Sequence, residues 1–132
     1  MDIAAYKKTV IETTDRVQIV LMLYDGAINH LKRARLKISS GDIMSKGQHF
    51  SKATSIVGEL SNVLDMEKGG DISENLRRLY DFVQQRLLYA NMHNDIKSLE
   101  EAEEVLNTIR SGWKEMMDSM KQNQQAGDKV AI

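Results

Sequence analysis

The sequence predicts an all-α protein, an antiparallel up-down-up-down four-helix bundle preceded by a short N-terminal capping segment that can itself be helical. Apolar residues recur at spacings of three, four or seven in four successive blocks, as in amphipathic helices. The 132 residues contain no proline and only 8 glycines, so little interrupts a helix. The links between blocks are short, and short links favour antiparallel neighbours.

The four helices are predicted near residues 15–39, 42–65, 72–92 and 98–121. Each contributes a core stripe of apolar or small residues, with Arg35 in the one vacant place of the first stripe. In chain order the stripes are Val17, Leu21, Tyr24, Ile28, Leu31 and Ile38; Ile43, Gly47, Phe50, Ala53, Val57, Leu60 and Leu64; Ile72, Leu76, Leu79, Tyr80, Val83, Leu87 and Ala90; Leu99, Ala102, Leu106, Ile109, Trp113, Met116 and Met120.

Breaks in the pattern set the predicted boundaries. Thr14 is the expected N-cap of the first helix, Gly41 and Asp42 its end and the next start, and Gly69-Gly70 the second break. The polar segment 91–95 separates the last two helices. The domain prediction is therefore an amphipathic capping segment at 1–14, a bundle at 15–121 and a flexible polar tail at 122–132.

Composition excludes several classes of function. The chain has no cysteine, so disulfides, zinc ribbons and thiol catalysis are excluded. The net charge of −1 argues against a dedicated nucleic-acid binder, and the cations Lys32, Arg33, Arg35 and Lys37 are interpreted as a solvated helix face. No apolar run is long enough for a membrane span, and the N-terminus does not resemble a secretion signal, which makes the cytosol the expected location.

No metal, cofactor or catalytic motif is evident, and we expect no enzymatic activity. None of His30, His49 and His93 follows a glutamate by three residues, as di-iron bundles require. One alternative stays open. His49 with Lys52 three residues later resembles the histidine phosphotransfer (HPt) motif of another four-helix fold, in which an exposed imidazole accepts a phosphoryl group. Here Ala53 replaces the glycine that usually follows the lysine.

The blocks carry more apolar side chains than one core seam needs. Either these residues widen an ordinary core, or they form an exposed groove for a partner. The predicted client-binding or groove-capping residues are Ile3, Tyr6, Val10, Leu23, Ile56, Val63, Phe82, Leu88 and Tyr89.

The N-terminal segment is predicted to dock only marginally. Burying Ile3, Tyr6 and Val10 would return about 5–8 kcal/mol, whereas ordering some ten residues costs about 10–20 kcal/mol of backbone entropy. A displaceable lid over the groove and a plain frayed terminus both remain open.

A set of short strings is spread over residues 3–117, and each of them is weak alone. The strings are Ala5-Tyr6, Leu23-Tyr24-Asp25-Gly26-Ala27, Gly41-Asp42, Ser51-Lys52-Ala53, Leu64-Asp65, Lys68-Gly69-Gly70, Asn75-Leu76, Leu79-Tyr80-Asp81, Ala90-Asn91, Asn94-Asp95 and Trp113-Lys114. In this order and spacing they resemble the bacterial flagellin export chaperones of the FliS type. One departure is Thr14-Asp15, where that family often has Ser-Pro.

The resemblance implies an antiparallel bundle that binds the disordered C-terminal segment of flagellin, prevents its premature polymerisation and assists its delivery to the export gate. It also implies contacts with other flagellar regulators, such as an anti-sigma factor, and it matches Ile3 and Tyr6 to residues that bind client or cap the groove. No nucleic acid and no membrane insertion are expected, and a weak homodimer is allowed.

Overall fold

Four helices, in a computed structural model, account for almost all of the chain that is described, namely residues 2–64 and 66–130 without the side chains of Val10, Glu67 and residues 124–130. Their bounds are α1 Ile3–Ser40, α2 Ile43–Asn62, α3 Met66–His93 and α4 Ile96–Val130. The predicted all-α bundle is therefore confirmed.

The helices pack in a closed square. α1 packs against α2, α2 against α3, α3 against α4, and α4 closes the ring against α1, while the diagonal pairs do not lie side by side. The order of contacts along α1 and α4 shows that they run antiparallel: Arg35 pairs with Glu103, and Asp25 lies 2.5 Å from Arg110.

Most residues of the predicted stripes form the core, but Ile43, Ile72, Leu79 and Met116 are exposed, and the prediction is wrong for these four. Ile43 is the first residue of α2 and Ile72 follows the non-helical Gly70, so both lie where a helical segment begins and fewer neighbours cover a side chain. Tyr24 and Tyr80, on the diagonal helices α1 and α3, join their hydroxyls by a hydrogen bond at its centre. Burial, reinforced for Tyr24 by its neighbour Tyr80, raises the pKa of both phenols, so both stay neutral. A smaller cluster, Val17 and Leu21 with Met117, extends the core between α1 and α4.

Two tight turns fix the register of each helical hairpin. Gly41 ends α1 in the left-handed region (φ 76°) and donates to the carbonyls of Ile38 and Lys37, while the Asp42 side chain accepts from the Ser45 N–H at the start of α2.

The second turn joins α3 and α4. Asn94, also at positive φ, lies between the two helices, and Asp95 accepts a 2.6 Å hydrogen bond from Ser98. The buried Lys46 secures this second turn by donating to Asn94 Oδ1 at 2.6 Å.

The predicted start of the first helix is wrong by twelve residues. Asp2, not Thr14, is the N-cap, because its side chain accepts from the N–H groups of Ala4 and Ala5, and Thr14 is interior and buried. The physical reason is continuity: residues 3–14 contain neither glycine nor proline, and their apolar positions continue the stripe of Val17 and Leu21. The capping role predicted for residues 1–14 stays a prediction.

The last two helices are also longer than predicted. α3 begins at Met66, before the predicted glycine break, and the chain kinks at Gly70 (φ 51°, ψ −126°) within it. α4 runs from Ile96 to Val130, because its lysine- and glutamine-rich end favours helix and only Gly127 opposes it. That helix includes most of the predicted flexible tail, residues 122–132.

Because of these lengths, the bundle is open at one end. α1 has 38 residues and α2 only 20, and the two are joined by the turn at which α1 ends and α2 begins. About 24 Å of α1, at ~1.5 Å per residue, therefore runs beyond the end of α2, accompanied by the C-terminal part of α4. We call this part of α1, residues 3–18, the overhang.

Candidate interaction surface

An exposed apolar stripe runs along the side of α3 that borders α4. Leu79, Phe82 and Tyr89 recur at helical spacing with Arg86 between them, so they lie on one face. Phe82 and Tyr89 remain 42% and 44% exposed although α3 is packed on both sides. Arg86 reaches to 3.5 Å from Glu101 of α4, which identifies the neighbouring helix.

The facing side of α4 leaves room beside this stripe. Val105, Gly112 and Met116 share a face with Glu101 by their spacing of four, seven and four residues. Val105 packs against the core, Met116 is exposed, and a Cβ placed at Gly112 would meet nothing within 4 Å. The two stripes lie on adjoining sides of α3 and α4, and we call the apolar surface that they form the α3/α4 groove.

A cation–π contact and a tilted ring contact hold one end of the groove. The Arg86 guanidinium lies 5.3 Å from the Tyr89 ring centroid, and the Tyr89 ring lies 4.3 Å from the His93 ring. These contacts restrict the Tyr89 side chain before any partner arrives, which reduces the entropy that a partner must remove.

The overhang presents the second exposed surface. Ile3 and Tyr6 are 65% and 58% exposed, and they continue the core stripe of α1 into a region where α2 is absent. The side chain of Val10, the third residue predicted here, lies outside the described residues. Tyr6 is about 44 Å along α1, at ~1.5 Å per residue, from Arg35, which is level with Arg86 through the ion pairs of both residues to α4. The overhang therefore lies away from Tyr89.

The remaining predicted residues are not brought together. Leu23 and Ile56 are half-buried, and both pack against the main core at the α1–α2 side. Val63 is exposed at the end of α2, and Leu88 is exposed on a face of α3 different from that of Tyr89. Residues that widen the core and residues that face solvent share the same sequence pattern, so the sequence did not separate them.

The two histidines of the α1–α2 face form a pair that the sequence did not reveal. His30 Nδ1 lies 3.1 Å from His49 Nδ1, and the ring centroids are 5.3 Å apart. Burial lowers the pKa of His30, helped by His49, Lys52 and Arg33. Burial also lowers the pKa of His49, helped by Arg33, Lys52 and Lys37.

Comparison with known proteins identifies the chain. The family model described as flagellar protein FliS matches residues 2–120. The chain belongs to the FliS family. It is 46% identical over 100 residues to the flagellar secretion chaperone FliS of Salmonella typhimurium, covering 75% of this chain and 74% of that protein. It is 37% identical to the Vibrio cholerae FliS over 83% of both chains, and 28% identical to the Bacillus subtilis FliS over 96% of this chain and 94% of the other.

The longest of the strings that resemble FliS is explained by packing. In Leu23-Tyr24-Asp25-Gly26-Ala27, the Tyr24 hydroxyl forms a hydrogen bond with that of Tyr80, and Asp25 forms an ion pair with Arg110. Ile56 Cδ1 would lie only 3.3 Å from a Cβ at position 26, and Ala27 is fully buried. This FliS string therefore secures the packing of α1 in the bundle. No helix among the described residues is long and apolar enough to cross a bilayer.

The histidine pair predicts that unfolding depends on pH near neutrality. Folding lowers the pKa of both histidines, so each binds a proton more readily in the unfolded chain, where a histidine side chain has a pKa of about 6.5. The free energy of unfolding should therefore have its full value above that pH and decrease as the pH falls below it. Urea unfolding between about pH 7.5 and pH 5.5 measures the slope.

The matched comparison replaces either the pair or the remaining histidine. The His30→Gln/His49→Gln variant should flatten the pH dependence over that interval, whereas His93→Gln should leave the histidine-pair contribution in place. An unchanged slope in the double variant would contradict the assignment.

Proposed function

We propose that the protein is a flagellar export chaperone that binds the disordered C-terminal segment of flagellin in the cytosol and keeps it from polymerising before export. The observation that supports this proposal is the apolar area that the bundle leaves exposed, in the α3/α4 groove and on the overhang. Membership in a family whose curated relatives are flagellar secretion chaperones gives the class of client.

The physical basis is coupled folding and binding. An amphipathic client segment loses conformational entropy when it is ordered, and the burial of its apolar side chains against exposed ones offsets that loss. Phe82 and Tyr89 are suitable anchors, because aromatic side chains bury a large area with few rotatable bonds. No step of this function makes or breaks a covalent bond.

The overhang supplies a second contact for the client. Beyond Asn62, where α2 ends, α1 and α4 run on without it and bury only part of their apolar faces. The side of α1 that faces α2 elsewhere is therefore exposed there. A helical client segment placed there would restore the missing neighbour, with Ile3 and Tyr6 against it. An export-gate component and an anti-sigma factor are further partners in this proposal.

The phosphotransfer alternative finds no support. Each of the relatives reported above is a flagellar secretion chaperone. His49 lies beside His30, and its charged neighbours are Arg33, Lys37 and Lys52.

Co-purification with flagellin tests the proposal. Full-length flagellin should co-purify with the protein, and flagellin without its C-terminal segment should not. Phe82→Ala/Tyr89→Ala should weaken binding by about tenfold or more, because it removes two aromatic anchors. The control Met22→Ala/Leu36→Ala removes two exposed apolar side chains of α1 that lie outside both surfaces. Equal retention of truncated flagellin would contradict the proposal.

The lid hypothesis makes a separate prediction about the free protein. If the overhang shields apolar surface, deleting residues 2–14 should increase self-association, measured by light scattering during gel filtration, and should change client affinity. Tyr6→Ala should have the same effect to a smaller degree.

Ile19→Ala is the matched control for Tyr6→Ala. Ile19 and Tyr6 are both 58% exposed on α1, but only Tyr6 lies on the continued core stripe. Unchanged affinity and no new self-association in the deletion variant would exclude a lid.

A further inference from the structure

A compact set of cationic side chains lies on the face formed by α1 and α2. His30, Arg33 and Lys37 follow one side of α1 at spacings of three and four, and His49 and Lys52 follow the adjoining side of α2. The histidine pair joins the two rows, with 3.1 Å between the Nδ1 atoms. We call these five residues the α1/α2 cationic patch.

The patch has little compensating negative charge. Lys37 lies 3.7 Å from Asp42 at one end, whereas Arg33 and Lys52 have no carboxylate oxygen within ion-pair distance among the residues that the structure describes. Glu59 of α2 is two turns beyond Lys52. Most arginines elsewhere do have such a partner: Arg35, Arg78, Arg86 and Arg110 each pair with a carboxylate.

The field of the patch acts on its own histidines. Burial is the first cause of the lowered pKa of both histidines, and the charged groups that lower it further come from both helices, Arg33 and Lys37 on α1 and Lys52 on α2. An anion bound at the patch would oppose this field and favour the protonated imidazoles.

Beside the patch lies a shallow depression that offers hydrogen-bond donors. It is lined by His30, Ser51, Lys52, Ser55 and Ile56. The serine hydroxyls can donate to carboxylate oxygens, and Ile56 gives an apolar surface for the stems of acidic side chains. The row from His30 to Lys37 is about 10 Å long at ~1.5 Å per residue, which matches about three residues of an extended peptide.

We propose that the α1/α2 cationic patch binds a carboxylate-rich segment of a partner protein, and that protonation of His30 and His49 strengthens this binding. A nucleic acid fits less well. The patch has no exposed phenylalanine, tyrosine or tryptophan for base stacking, and the whole chain carries a net charge of −1.

This surface is separate from the α3/α4 groove. The groove lies between α3 and α4, the patch lies between α1 and α2, and the diagonal helices do not pack side by side. An acidic partner could therefore bind while the groove holds a client, so the inference does not depend on the identity of the client.

A fluorescent polyglutamate peptide tests the proposal directly, with fluorescence anisotropy at low salt near pH 6 and near pH 8. We expect the peptide to bind about fivefold more tightly at the lower pH. Arg33→Ala/Lys52→Ala should weaken binding by about tenfold. The control Arg77→Ala/Lys97→Ala removes the same charge from α3 and α4, so it should change affinity by less than about twofold.

Two further arms decide the outcome. In the His30→Gln/His49→Gln variant the peptide should still bind, but with the same affinity at both pH values. No measurable polyglutamate binding near pH 6, or equal weakening by the control variant, would overturn the proposal. Tighter binding of an oligothymidylate than of the peptide would overturn it in favour of a nucleic acid.

Discussion

The two tight turns impose the register from which the rest of the structure follows. Gly41 and Asp42 hold α2 against the second half of α1, and Asn94 and Asp95 hold α4 against α3. Once those positions are fixed, the unequal helix lengths determine which apolar side chains find a neighbour. α1 continues past the end of α2, so part of its stripe has α4 but not α2 beside it. The overhang is thus a consequence of register and length, with no special local conformation.

The same register places apolar side chains on the outer side of α3 and cationic side chains on the α1–α2 side. The interior is closed by fully buried side chains and by the Tyr24–Tyr80 hydrogen bond, which leaves no unsatisfied hydroxyl at the centre. Because other side chains fill the interior, the fold does not need Phe82 and Tyr89, on the outer side of α3, to be buried. The polar α1–α2 side instead concentrates positive charge, and the two sides can serve different partners.

Much of the fold could be predicted from the sequence, because periodicity reports which residues face inward. Most positions of the four core stripes, the end of α1 at Gly41 and the break at Gly69-Gly70 are of this kind. The start of α1 was missed because Thr14 and Asp15 have the chemistry of a cap, although nothing in residues 3–13 stops a helix. A capping residue permits a helix start but does not impose one.

The candidate site was less predictable, for a reason that concerns packing. Ile56 and Phe82 are both apolar residues beside a core stripe. The Ile56 side chain packs against α1 at Gly26, where the two helices approach closely, whereas Phe82 borders solvent. Which of them is covered depends on interhelical distance, and one sequence does not contain that quantity. The histidine pair was invisible for the same reason, since His30 and His49 are far apart in sequence and meet only when α1 and α2 are aligned.

The central claim is that the exposed apolar area of this bundle is what binds the client. Titration calorimetry of the flagellin C-terminal segment at several temperatures tests it most directly, because burial of apolar surface gives a negative heat-capacity change. The account predicts a clearly negative value, reduced in magnitude when Phe82 and Tyr89 are replaced by alanine. A heat-capacity change near zero, with affinity that depends only on salt concentration, would contradict it.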